Sequence, residues 1–144
     1  MISNLQNAMP KDLAAIFELL EASKLPTAGD KDHMQNFVLE LENNTLLGCA
    51  GLEIYGDAGL LRSVAVNLNQ RSNGIGSRLV KNILENAKNH QLSSISLLTE
   101  TAEDYFRRFG FQYVTRAEIP ESLNASLELC GVCPDTAMVM MLEL

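Results

Sequence analysis

Apolar residues recur along this chain with two alternating periods, and the alternation lays out its elements. Ile2 to Gln6 reads as a short first strand. Pro10 then sits where a helix begins, followed by Leu13, Ile16, Phe17 and Leu20 at helical spacing up to Pro26. Asp32 to Asn36 adds a helical turn. Phe37 to Glu42 and Leu46 to Tyr55 read as two strands joined by the hairpin turn Glu42-Asn43-Asn44-Thr45. Gly56-Asp57-Ala58-Gly59 forms a second turn, into a strand from Leu60 to Val66. A polar stretch, Asn67 to Asn73, precedes a helix from Gly74 to about Asn89, where Ile75, Leu79, Ile83 and Ala87 repeat every four residues. Ile95 to Thr99 predicts a buried strand, Thr101 to Phe109 a short helix closed by Gly110, and Phe111 to Val114 and Thr136 to Leu142 two more strands. Helical turns fill Glu118 to Cys133. This order predicts an α/β (α+β) mixed sheet flanked by helices.

Composition narrows the function classes. A length of 144 residues favours one domain, 1–144, and 47% hydrophobic against 20% charged residues describes a globular chain. No apolar run approaches the roughly 18 residues that span a bilayer, and the first residues show no basic or apolar leader pattern. A cytoplasmic protein without membrane contact is expected. The formal net charge of -7 opposes a phosphate backbone, so nucleic acid is not an expected partner.

The cysteines are Cys49, Cys130 and Cys133, and the last two form Cys130-Gly131-Val132-Cys133-Pro134. A redox CxxC normally opens a helix, whereas this one precedes a strand, and His33 and His90 lack paired ligand spacing. No metal is expected. Three thiolates nevertheless suit a soft ion such as arsenite, which is one alternative function.

The densest chemistry lies between Leu60 and Ser77. A strand ends at Val66, and the loop enters a helix through Arg71-Ser72-Asn73-Gly74-Ile75-Gly76-Ser77. Free N–H groups and the positive dipole end of a helix's first turn attract anions. Glycine lets a phosphate approach the backbone, Ser77 adds a hydroxyl and Arg71 a positive charge. The pattern suits a diphosphate but is neither a Walker loop nor a dinucleotide fingerprint. Its alternative reading is an ordinary flexible helix start.

Context makes the pattern specific. Val64-Ala65-Val66 followed by Arg71-Ser72-Asn73-Gly74-Ile75-Gly76 resembles the central CoA motif of the GNAT acetyltransferases. Ala102, Tyr105-Phe106 and Gly110-Phe111 resemble that family's later Ala-x-x-Phe-Tyr-x-x-x-Gly-Phe motif. A closer likeness, to small acetyltransferase-like proteins encoded with arsenic-resistance genes, rests on four stretches. They are Leu25-Pro26-Thr27, Gly51 to Asp57, Leu60-Leu61-Arg62-Ser63 and Cys133-Pro134.

The resemblance implies a mostly antiparallel sheet of six to seven strands with a splay between the fourth and fifth. It implies acetyl-CoA as cosubstrate, its pantetheine pairing with main chain near Val64, Ala65 and Val66, and its diphosphate meeting amides from Arg71 to Ser77. A primary amine of a small, amino-acid-like molecule would then attack the acetyl carbonyl directly. Many members use a tyrosine acid where this chain has Phe106, which leaves the acid unassigned and gives Phe106 a packing role over the CoA sulfur. Tyr105 is turned about 100° away on a helix, and is expected to pack or lie at the surface. Leu60 replaces a glutamate found in some relatives, so it is no base.

The catalytic candidates are Glu53 and Arg62, on adjacent predicted strands. Arg62 suits a substrate carboxylate, with Glu53 and Thr99 beside it as substrate contacts; alternatively Glu53 and Arg62 pair across the strands. Thr99, Glu100 and Thr101 lie where the splayed strand ends, and Thr101 is the expected N-cap. A CoA-binding sensor without efficient catalysis is a further alternative. A homodimer is compatible with the resemblance.

Overall fold

The computed structural model describes residues 4–25, 27, 31–67, 69, 74–126 and 137–144. Seven strands form one sheet in the order β1-β2-β3-β4-β5-β7-β6. They are β1 (Asn4–Asn7), β2 (Phe37–Glu42), β3 (Thr45–Tyr55), β4 (Ala58–Val66), β5 (Ser94–Thr99), β6 (Gln112–Val114) and β7 (Met138–Glu143). The helices are α1 (Leu13–Ala22), α2 (Ile75–Asn89) and α3 (Glu103–Arg107). Every neighbouring pair is antiparallel except β4 and β5. Among the described residues no helix is long and apolar enough to cross a membrane.

Strand alternation decides which helix each residue meets. On one face, Val38, Ala50, Leu52, Leu61, Ile95 and Leu97 pack against Ile75, Leu79, Val80, Ile83 and Ala87 of α2. On the other, Phe37, Leu39 and Cys49 pack against Ile16 and Leu20 of α1. Farther along that second face, Ala58, Leu60 and Val139 are covered by Ile119, just after a 3-10 turn at Arg116–Glu118, and by Leu123 of a second turn at Glu121–Ala125. The apolar positions read from the sequence at period two and at spacing four are the ones that meet here.

Several boundaries move. Pro10–Asp12 is a 3-10 turn, and α1 proper starts at Leu13. The second hairpin turn is shorter than expected, because Ala58 already pairs with Tyr55. The expected helix from Thr101 to Phe109 shrinks to Glu103–Arg107, and Thr101 is not its cap. Instead the Ala102 N–H donates to Oγ1 of Thr99 at 3.0 Å, so the last residue of β5 holds the turn and the helix starts later. The first hairpin is as read: Asn43 and Asn44 both take positive φ (52° and 64°), which asparagine tolerates. The CxxC lies outside the described residues.

Two departures from regular pairing shape the molecule. Cys49 pairs with Ala65 but Gly51 pairs with Arg62, so Ser63 and Val64 together stand against Ala50. This bulge carries Ser63 at φ 58° and accepts the Cys49 thiol on the Ser63 carbonyl at 3.2 Å. It also switches faces: Leu61 belongs to the α2 side, whereas Ala65 packs with the α1 cluster. The second departure is that β4 pairs with β5 over only three positions, Ala58↔Ser94, Gly59↔Ile95 and Leu60↔Ser96. Beyond Leu60, β4 continues with β3, and β5 continues with β7. The expected splay is present.

Close packing leaves little slack beside the bulge. A Cβ on Gly51 would lie 2.3 Å from Cε1 of Phe37, a ring only 1% exposed. Gly51→Ala should therefore destabilise the fold by about 1–3 kcal/mol, the usual cost of overpacking a core, measurable as a lower urea midpoint with an unchanged slope.

Candidate functional site

The fork between β4 and β5 opens toward the start of α2. Gly74 is the N-cap of α2, in left-handed backbone (φ 77°) that most residues avoid, and its carbonyl accepts the first helical bond from Arg78 N–H at 3.1 Å. Ile75 is buried under the sheet, while Gly76 and Ser77 are half-exposed. A Cβ on Gly76 would meet the Tyr105 hydroxyl at 2.7 Å and Cγ2 of Val66 at 3.6 Å. The end of β4, the first turn of α2 and α3 thus converge on one glycine. Arg71, Ser72 and Asn73 lie outside the described residues.

The first turn of α2 is held by an ion pair that sequence reasoning missed. Glu40 stands on β2 facing α2, 1% exposed, and Arg78 clamps it with two bonds, Nε to Oε1 at 2.9 Å and Nη2 to Oε2 at 2.7 Å. Such a fork fixes orientation as well as distance. The signal was a lone carboxylate inside the apolar run Phe37-Val38-Leu39-Glu40-Leu41. A buried charge needs a partner, and α2 supplies it.

Glu53 and Arg62 take the cross-strand arrangement. They sit diagonally on β3 and β4, with Arg62 Nη1 2.5 Å from Glu53 Oε2 and Arg62 Nε donating to Ser63 Oγ at 3.1 Å. Both side chains are essentially inaccessible, at 1% and 0% exposure. The Tyr55 hydroxyl donates to Glu53 Oε1 at 2.5 Å, and His33 Nε2 lies 3.2 Å from that hydroxyl. A polar chain therefore runs from half-buried His33 through Tyr55, Glu53 and Arg62 to Ser63 at the bulge. Burial alone pushes the Glu53 carboxyl up, but bonds from Tyr55, Arg62 and Ser126 outweigh it and hold it below its ordinary value. Burial, and then the Glu53 carboxylate, raises the Tyr55 phenol. A carboxylate held so firmly in its charged form is a poor general base at neutral pH.

The other expected residues fall as follows. Val64, in the bulge, and Val66, beyond it, are partly buried on the α2 side of β4, and Ala65 faces α1. Thr99 ends β5 on the far arm of the fork. Phe106 is 8% exposed and packs edge-on against Phe111 in the main core. Tyr105 packs between the edges of Phe106 and Phe109, at 5.3 and 5.4 Å between ring centres. Among the described residues no group of three His, Cys, Asp or Glu is placed to hold a metal ion.

The acetyltransferase (GNAT) family profile matches residues 5–111. This chain belongs to the GNAT acetyltransferase family. It is 26% identical over 116 residues to an amino-acid acetyltransferase of Neisseria meningitidis, covering 76% of this chain but 27% of that enzyme. A Mycobacterium tuberculosis amino-acid acetyltransferase is 36% identical over 67 residues, 46% of this chain and 38% of the relative. The chain thus spans well under half the length of these relatives. Among solved structures, the N-acetylglutamate synthase of Neisseria gonorrhoeae, complexed with coenzyme A and N-acetyl-glutamate, superposes with a TM-score of 0.84 at 22% identity. That match covers all of this chain and 35% of the synthase. A protein of Mycobacterium tuberculosis in complex with CoA gives 0.79 at 22% identity, with 98% and 99% coverage. These likenesses establish the GNAT fold, with its parallel β4–β5 splay.

The sign of the Glu53 shift sets a pH dependence. Its carboxyl is depressed on folding, so the ion pair's stabilisation is present above the ordinary value of about 4.5 and is lost as pH falls through the folded value. Glu53→Gln should cost about 3 kcal/mol at pH 7, by leaving Arg62 buried without its counter-charge. The gap between variant and parent should narrow below pH 4.5, as read from urea unfolding at a series of pH values.

Proposed function

We propose that this chain transfers the acetyl group of acetyl-CoA to the primary amine of a small, amino-acid-like molecule. One observation carries the reading: β4 and β5 separate after three paired residues, and the gap faces a helix start built with Gly74, Gly76 and Ser77. In this reading the edge of β4 between the bulge and Val66 takes the pantetheine arm as an added strand would pair. The amides of α2's first turn take the diphosphate. Bound there, acetyl-CoA supplies the activated carbonyl. A main-chain N–H near Val64 would stabilise the oxyanion that forms on it.

The local structure suits such a ligand. Gly76 leaves room that a methyl group would fill, and the Tyr105 hydroxyl beside it is buried without a hydrogen-bond partner among the described residues. A positive dipole end and an unused donor both favour an oxygen-rich anion. The relatives are named as amino-acid acetyltransferases, which supports an amino-acid-like amine as the substrate class.

Glu53 and Arg62 then act as a fixed support for the bulge, with Arg62 tying Glu53 to Ser63. The amine would lose its proton to solvent rather than to Glu53. The pantetheine thiol resembles a cysteine thiol, whose pKa is about 8.5, so the C–S bond can break to thiolate without a strong acid. Phe106, lacking any hydroxyl and buried in the core, favours a second reading, a CoA-binding protein without efficient turnover. The arsenite reading has less support, since Cys49 is buried with its thiol engaged by Ser63.

Ser77 provides the test. Gly74→Glu would block the loop but also strain a backbone at φ 77°. Ser77→Glu places a carboxylate in the first turn, where the dipole favours it by about 0.3–1 kcal/mol. That variant should unfold at the same or a higher temperature while binding acetyl-CoA at least about tenfold more weakly, because its charge occupies the anion site. Undiminished affinity would place the diphosphate elsewhere. With the parent, release of thiol that depends on an added amino acid separates the enzyme from the binding protein.

A further inference from the structure

Tyr105 is the one aromatic residue of α3 whose polar atom points into the fork. Its ring is wedged edge-on between Phe106 and Phe109, and the Arg108 guanidinium lies 5.6 Å above it. These contacts hold the ring in place, so the hydroxyl position is set by packing. That hydroxyl is buried and, among the described residues, has no hydrogen-bond partner. It lies 2.7 Å from where a Cβ on Gly76 would stand, at the junction of α2's first turn with Val66 at the end of β4.

A buried hydroxyl without a partner is costly, and a phenylalanine would fill the same space at no such cost. Phe106 in the helix and Phe109 in the turn after it show that phenylalanine serves here where packing alone is needed. The orphan donor therefore has a use in a state of the protein where an acceptor is present. Between β4 and the start of α2, that acceptor is an oxygen of the ligand.

We infer that Tyr105 contacts the cosubstrate, donating its phenolic hydrogen bond to an oxygen of CoA near the junction of pantetheine and diphosphate. The inference rests on the acetyl-CoA reading above. It assigns Tyr105 a part in binding, distinct from the acid position that Phe106 occupies. It also gives Gly76 a reason: the residue must be small so that the hydroxyl reaches the ligand's path.

Calorimetric titration of the purified protein tests it. Tyr105→Phe should weaken CoA binding about tenfold, the value of one hydrogen bond with charge assistance, while its melting temperature stays the same or rises as the orphan hydroxyl disappears. A matching loss with ADP assigns the acceptor to the diphosphate; a loss with CoA but not ADP assigns it to the pantetheine amides. Unchanged CoA affinity in Tyr105→Phe overturns the inference while leaving the CoA site standing, whereas no CoA binding by the parent removes both. The geometry has its own check. Gly76→Ala should lower the melting temperature in the parent but not in Tyr105→Phe, where the 2.7 Å clash is gone and the remaining neighbours lie at 3.6 Å or more. An equal loss in both backgrounds would contradict the placement of the hydroxyl.

Discussion

Everything distinctive about this molecule follows from the separation of two parallel strands. A parallel pair normally continues its ladder, and leaving it forfeits main-chain hydrogen bonds that buried groups must otherwise satisfy. Here the ladder stops at Leu60↔Ser96, yet both strands continue, β4 on β3 and β5 on β7. What keeps them apart is the bulge at Ser63 and Val64, which turns β4 and moves Ala65 to the α1 side. The bulge is secured from both directions, by the Cys49 thiol on the Ser63 carbonyl and by Arg62 on the Ser63 hydroxyl.

The two ion pairs, one buried whole and one joining buried Glu40 to exposed Arg78, make sense in that frame. Each buries a carboxylate at a cost and returns orientation more than net stability. Glu53 and Arg62 sit beside the bulge and fix β4's course; Glu40 and Arg78 fix the first turn of α2 against β2. One pair positions the strand edge and the other the helix start, the two surfaces that a cosubstrate in the fork would touch. Removing either carboxylate would disturb a boundary of the cleft without touching the ligand.

Much of this was legible in the sequence, for identifiable reasons. The strands Phe37–Glu42 and Thr45–Tyr55 announce themselves by apolar runs joined by the Asn43-Asn44 turn and closed by Gly56-Asp57, and α2 by its four-residue apolar stripe. The glycine-bearing helix start was legible because anion binding depends on backbone, which leaves its mark as residues without side chains. The bulge was not, since it depends on the register of β4 against β3, which no single segment encodes. Arg62 was left open between a substrate and Glu53 because spacing reveals that two charges share a face but not which partner each takes. Thr101 was misread as the cap because Thr99, two residues earlier, reaches forward across the turn. The sequence places Tyr105 only as packing or lying at the surface, because its aim toward Gly76 is set by Phe106 and Phe109 around it.

The central claim is that the fork between β4 and β5 holds acetyl-CoA. Calorimetric titration of the reduced, purified protein with acetyl-CoA, beside an equal titration with a nucleotide lacking pantetheine, addresses it most directly. The account predicts saturable binding of one acetyl-CoA per chain, on the order of micromolar and clearly tighter than the nucleotide, because both the strand edge and the helix start contribute. Absence of binding, or equal binding of the two ligands, would contradict it.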